Sequence, residues 1–315
     1  MSAGRPGGAA GVPDPRGSGA DAAGPAVSVP PAARPAGLDA LLPPEMAAKA
    51  TDIGVSKASM SALRTLALAV LAGAFIALGA MFATTVIAGA ADAIPFGIQR
   101  LLAGFVFSLG LILVVVGGAE LFTGNNLIAI AWAERRVPAR WLARNWGLVY
   151  VGNLVGALGT VALVFIGGQY EFGDGAVGSS ALAIAEAKAG LGFGRALVLG
   201  ILCNALVCLA IWLTYSARSV TDKILAVIFP ISAFVAAGFE HSIANMYFLP
   251  VGLAIKEWGS DDFVAASGTN AADYPDLSLG NAVVDNLIPV TIGNVIGGSV
   301  MVGLAYWLIY VRTRS

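Results

Sequence analysis

Charge is what this sequence of 315 residues has least of. Asp, Glu, Lys and Arg together make up 12% of it, against 57% hydrophobic residues. A soluble domain carries about a quarter charged residues. Histidine occurs once, as His241, and cysteine twice. These shortages exclude several chemistries. A catalytic zinc takes about three protein ligands, which one histidine beside one glutamate does not supply. Cys203 and Cys208 lie five positions apart in one apolar run. That spacing puts them on different helix faces, so they read as small buried hydrophobes rather than a disulfide or a metal pair. Ser242 follows His241, but the G-x-S-x-G elbow of a serine hydrolase is missing. A Gly-Lys-Ser/Thr phosphate loop is missing too, which removes an ATP-driven pump. No enzyme, cofactor, metal or nucleic-acid partner is expected.

The few charges are also unevenly spread. Uncharged runs cover 65–91, 101–119, 121–133, 145–170, 196–217, 224–239, 241–255 and 286–311. A membrane-spanning helix needs roughly 20 apolar residues. Runs 65–91, 145–170, 196–217 and 286–311 qualify outright, so the fold class is an all-α polytopic membrane protein. The tracts 101–133 and 224–255 are each interrupted by one glutamate, Glu120 or Glu240. Each is too long for one straight helix and too short for two spans with a loop, so each is read as one broken span. Six spans result. Arg135, Arg136, Arg140, Arg144, Arg218, Lys223, Arg312 and Arg314 then fall on one side, with the acidic stretch 257–285 opposite. Basic loops mark the cytoplasmic face, so both termini are expected inside, in a multi-pass protein of the inner (plasma) membrane.

Residues 1–37, rich in Ala, Gly and Pro, are expected to be a disordered tail without a signal-peptide core. Residues 38–58 read as an amphipathic segment on the membrane surface, with a solvated linker helix the open alternative. The channel domain is assigned to 59–315.

Two halves, 57–170 and 188–311, repeat each other. "KASMSALR" (57–64) pairs with "KAGLGFGR" (188–195), "GAELFTGN" (118–125) with "GFEHSIAN" (238–245), and "NWGLVYVGNLVG" (145–156) with "NLIPVTIGNVIG" (286–297). Three spans per copy make the repeats inverted, and paired broken helices place a site near the bilayer midplane. Ionisable groups at that depth are functional by default, so His241 is expected to line a pathway. Glu120 and Glu240 occur in both copies and are read as acceptors for the unwound backbone of the breaks, with Asn125 and Asn245 capping in the same way. Asn204, within a span, is a candidate partner for the histidine.

Together "GGAELFTGNN", "RNWGLVYVGNLVGA", "SARSVTDK", "FEHSIANM" and "NLIPVTIGNVIGG" resemble the formate/nitrite transporter family from about Leu38 to the C-terminus, closest to its formate-type members. The resemblance implies a six-span, aquaporin-like fold of inverted repeats with helices two and five broken. It also implies a homopentamer with one pore per protomer, passing formate, nitrite, hydrosulfide and related small monovalent anions. Carried over residue by residue, the central histidine is His241, preceded by Glu240. The pore threonine is Thr123, and the two asparagines are Asn204 and Asn245. Apolar constrictions fall on Phe107, Leu111, Leu121, Phe122 and Phe234, and vestibule lysines on Lys57 and Lys188. The expected partners are the anion, protons and the lipid bilayer. The expected mechanism protonates the anion within the pore, either from His241 or from water, so that a neutral acid crosses the gates. A nitrite or hydrosulfide channel of the same fold, an aquaporin-like neutral-solute channel and a scaffold without transport are the competing readings. Paired Asn-Pro-Ala motifs, which the neutral-solute channel would carry, are absent.

Overall fold

Proline, glycine and a shortage of charge set the element boundaries. The computed structural model describes residues 39–90 and 93–312, and the expected tail at 1–37 lies outside the described residues. Pro43 and Pro44 open α1 (Pro43–Ser59), where a missing amide proton costs nothing, and the Glu45 carboxylate accepts from the Leu42 amide at 2.7 Å. Among the described residues five helices are long and apolar enough to cross a membrane: α2 (Ala62–Ile87), α3 (Phe96–Gly117), α6 (Ala139–Ile166), α8 (Phe193–Ser216) and α12 (Leu279–Tyr310). Between them lie α4 (Phe122–Asn125), α5 (Ile128–Ala133), α7 (Ala176–Ala189), α9 (Val220–Ala236), α10 (Ser242–Trp258) and the short α11 (Asp261–Ser267). The described residues contain no strand.

The two halves pack alike. Helix α2 lies against α6 and α3, as α8 lies against α12 and α9, while α1 sits on α5 and α7 on α10. Glycine makes the tightest crossings possible. A Cβ on Gly156 would stand 1.9 Å from the Val70 carbonyl oxygen, and one on Gly297 2.0 Å from that of Ile201. Both contacts are far inside van der Waals distance, so the backbones touch there as small residues allow in membrane bundles.

The breaks fall where the interrupting glutamates stand, but the two copies differ in shape. The apolar pieces before and after each glutamate, 13 to 19 residues long in the sequence, suit half-helices. Helix α3 instead runs 22 residues, and only the 4-residue α4 and 6-residue α5 follow its break. In the second copy α9 and α10 have 17 residues each. The cause is local composition: Gly124-Asn125-Asn126 interrupts the first copy where Ala244-Asn245-Met246 continues the second, and Gly and Asn are poorer helix formers than Ala and Met. The last span also departs from its partner. Helix α6 is regular, whereas α12 carries wide π-helical turns over Ala282–Leu287 and Ile296–Leu304, a feature that often accompanies functional sites.

Candidate functional site

Each break starts with a glycine in the left-handed region, Gly118 at φ 76° and Gly238 at φ 73°, a conformation that only glycine enters without strain. The chain then runs extended through Glu120 and Glu240 before helix resumes. Backbone freed in this way at membrane depth has no water to satisfy it. The Glu120 amide donates to the Leu68 carbonyl at 3.2 Å and the Glu240 amide to the Leu199 carbonyl at 3.3 Å. A side-chain amide completes each set. Asn153 Nδ2 donates to the carbonyls of Ala69 (2.8 Å) and Glu120 (3.0 Å), and its Oδ1 accepts from the Phe122 amide at 2.9 Å. Asn294 repeats this with Gly200 (2.8 Å), Glu240 (3.0 Å) and the Ser242 amide (2.9 Å).

The asparagines that hold the breaks are therefore Asn153 and Asn294. The sequence reading placed both in a repeated motif without giving them a role. The work first assigned to the Glu120 and Glu240 carboxylates and to Asn125 and Asn245 belongs to them. Those four side chains do something else. Glu120 Oε1 stands 2.5 Å from Lys57 Nζ, and its Oε2 accepts from Asn125 Nδ2 at 2.7 Å. Glu240 Oε1 stands 2.8 Å from Lys188 Nζ, and its Oε2 accepts from Asn245 Nδ2 at 2.7 Å. Asn145 and Asn286 close the circuits, each accepting from the neighbouring asparagine and donating to the lysine's own carbonyl. The carboxylates are only 4% and 5% exposed. A buried charge without its partner costs about 3–5 kcal/mol, so the lysines are committed to these glutamates.

The copies part company right after the glutamate. Leu121 occupies the first position and His241 the second. His241 caps α10: its Nδ1 accepts from the Ala244 amide at 3.0 Å. Its Nε2 lies 3.0 Å from Thr123 Oγ1, so the two halves meet at this contact. An Nδ1 that accepts an N–H carries no proton, and the imidazole in this arrangement is the neutral form with its proton on Nε2. Asn204 makes no hydrogen bond to the histidine. Its Nδ2 lies within hydrogen-bond distance of the carbonyls of Thr123 (3.2 Å) and Asn294 (2.7 Å) and of Asn126 Oδ1 (2.8 Å), three acceptors that share its two protons. It ties α8 to both halves and sets the backbone of Thr123.

Two cavities lie at the two breaks, and one of them reaches the histidine. One, of about 370 Å³, is lined by Lys49, Lys57, Glu120, Leu121, Asn125 and Lys223 among others. The other, of about 500 Å³, is lined by Arg100, Lys188, Arg195, Glu240, His241 and Asn245, with Phe107 and Phe234 in its wall. Leu111, Phe122 and Thr123 line neither, and all five expected constriction residues are at most 4% exposed. Phe234 stacks on the His241 ring at 5.9 Å between centroids, and Phe107 meets Phe234 edge-on at 5.7 Å. At the first break Phe122 meets Tyr150 edge-on at 5.0 Å. The arrangement is one cavity at each break, each holding lysine and glutamate side chains, with buried apolar side chains and the His241 ring packed beside them.

The described residues hold no cluster of three or more metal-ligating side chains. Residues 44–308 match the formate/nitrite transporter family profile. The chain is 47% identical over 278 residues to the formate channel FocA of Escherichia coli (strain K12), covering 88% of this chain and 97% of that one. It is 40% identical over 265 residues to the formate channel FocA of Haemophilus influenzae, covering 84% and 93%. Among solved structures, a pentameric formate channel with formate bound superposes with a TM-score of 0.73 at 46% identity, covering 79% of this chain and 98% of that chain. With a match spanning both repeats and both breaks, this chain is an integral membrane protein that belongs to the formate/nitrite transporter family.

Proposed function

We propose that this chain is a channel for formate and related small monovalent anions, which cross together with a proton as the neutral acid. The observation that carries this reading is His241, a single buried imidazole between two cationic vestibules that apolar side chains separate. Moving a bare carboxylate through such a closure costs tens of kcal/mol by Born estimates, less after relaxation. Protonating an acid with a pKa of roughly 3.5 costs about 5 kcal/mol at pH 7. Protonation is the cheaper route.

The source of the proton follows from the cap. An imidazolium needs a proton on Nδ1, where the Ala244 amide already points, so charging His241 sacrifices the N-cap of α10. A neutral imidazole is a far weaker acid than an imidazolium. His241 therefore acts as a hydrogen-bond donor through Nε2, turning from Thr123 to an arriving carboxylate oxygen, while a proton from bulk solvent reaches the carboxylate through vestibule water, each water accepting one proton as it passes one on. The remaining site residues follow from their places. Phe107, Leu111, Leu121, Phe122 and Phe234 exclude the hydrated ion, Thr123 and Asn204 set the histidine's partner, and the Lys57–Glu120–Asn125 and Lys188–Glu240–Asn245 circuits shape the two mouths. The reading includes six crossings, with α9 and α10 together as the sixth, and a homopentamer like the solved relative. It places the Lys57 vestibule and both termini on the cytoplasmic side of the inner membrane, where the basic loops lie.

Flux of formate, nitrite, hydrosulfide and acetate in proteoliposomes, with and without a pH gradient, tests this. Formate is expected to move with one proton and to respond to the gradient, and His241→Phe to slow it at least tenfold. Wild-type formate and proton flux in His241→Phe would sink the role given to the histidine. A flux indifferent to the gradient would indicate a neutral-solute channel, and a preference for nitrite or hydrosulfide would replace formate as the substrate.

A further inference from the structure

We propose that Arg100 is the anion-recognition residue of the Lys188 vestibule, and that the opposite vestibule has no equivalent. Arg100 belongs to α3, in the first half, but its guanidinium docks on the break of the second. Its Nη2 donates to the Val235 carbonyl and its Nε to the Ala236 carbonyl at 3.4 Å, both on the last turn of α9. Nη2 stands against Gly238, the left-handed glycine of the break, where an added Cβ would lie 3.5 Å from it. A guanidinium has five N–H bonds in a fixed plane. Two are used here, and among the described residues no side chain or carbonyl takes the Nη1 protons, while the side chain lines the 500 Å³ vestibule. A bidentate edge of this kind suits a carboxylate.

The electrostatics of the vestibule point to the same residue. The carbonyl end of a helix carries partial negative charge, so the end of α9 facing this vestibule would repel an anion if left bare. Arg100 outweighs it and leaves the helix end with a net charge of about +0.5. Lys188 does not contribute a free charge, because Glu240 at 2.8 Å neutralises it. The other side lacks this device. By the alignment of Gly118 with Gly238, the equivalent carbonyls belong to Val115 and Val116, and the position equivalent to Arg100 is Val220. Among the described residues no side chain donates to those two carbonyls. Lys223, which lines that vestibule, makes no such bond.

The test rests on formate being a permeant, and the wild-type measurement separates the two ideas: a wild type that carries no formate fails the proposed function, not this assignment. Initial rates are measured against formate concentration in cells expressing the full chain, for uptake and for efflux after loading. Arg100→Gln is expected to raise the half-saturating concentration about tenfold from one side only, the loss of one charge-assisted bidentate contact, with the maximal rate within about twofold. Arg100→Lys, which keeps the charge but loses the bidentate edge, is expected to fall between Arg100→Gln and the wild type on that one side, with the wild type's dependence on ionic strength. The half-saturation of Arg100→Gln is also expected to depend less on ionic strength than that of the wild type. An unchanged half-saturation, or an equal rise from both sides, would reduce Arg100 to a helix cap. So would a loss of maximal rate alone, shared equally by the Lys variant. If Arg100→Gln does not assemble, the Lys variant decides by itself: a rise in half-saturation from one side only supports the assignment, and an unchanged half-saturation or an equal rise from both sides overturns it.

Discussion

At the scale of single residues, the chain spends its few polar side chains where helix has been given up. Asn153 and Asn294 each satisfy three backbone groups with one amide. Leucine has nearly the same shape and none of these bonds. A buried group left unpaired costs about 1–3 kcal/mol, so Asn153→Leu is expected to destabilise the protein by about 2–5 kcal/mol, read as a lowered melting temperature in detergent. Asn294→Leu should cost a similar amount, because its contacts are the same. Melting temperatures equal to the wild type would mean that something other than these amides holds the breaks. Much of this region was legible beforehand. A charge interrupting an apolar tract marked both breaks, and the one position where the copies differ, Leu121 against His241, marked the site. The role of Asn153 and Asn294 was not legible, because the carbonyls they serve lie on other spans. The same holds for His241, whose partner Thr123 comes from the other half, whereas Asn204 was the candidate on sequence alone.

At the scale of elements, the two halves are held by helix pairs whose backbones touch. Gly156→Val is expected to force α2 and α6 apart, since its Cβ would overlap the Val70 carbonyl, and Gly297→Val to do the same to α8 and α12. Overpacking of this kind costs typically about 1–3 kcal/mol, and more when backbone must move. Gly159 is the internal control. It lies on the same α6, with nothing within 4 Å of an added Cβ. Gly159→Ala should be tolerated or raise stability by about 0.5–1 kcal/mol through lower backbone entropy in the unfolded chain. Yield of folded protein and thermal unfolding in detergent would separate the two positions, and equal behaviour would refute the close-contact argument. The sequence shows both glycines at the ends of the repeated motifs 145–156 and 286–297. It said nothing of the π-helical turns in α12, because hydrophobic pattern does not distinguish wide turns from regular ones.

At the scale of the whole molecule, the inverted repeat predicts which surfaces share a side. The native thiols, Cys203 and Cys208, are fully buried and give no background, so single introduced cysteines report topology directly. Ala266→Cys in α11 and Arg140→Cys at the start of α6 both fall at exposed positions. In intact cells a membrane-impermeant maleimide is expected to label the first, and the second only after permeabilisation. Labelling of both in intact cells would contradict the six-crossing arrangement and the assignment of sides.

What the sequence determined by itself is coarse and firm. An apolar chain in runs of twenty must enter a membrane, a three-span unit repeated must be inverted, and glutamates inside apolar tracts must mark breaks. Each of these follows from periodicity and from the cost of burying charge, both of which are local. Tertiary structure decided which groups pair. The two lysines, readable as free cations, are each neutralised by a buried carboxylate 63 or 52 residues away, and Arg100 reaches carbonyls 135 and 136 positions along the chain. Hydrogen bonds and ion pairs act over a few ångströms, and only the folded chain decides which distant residues come within that range.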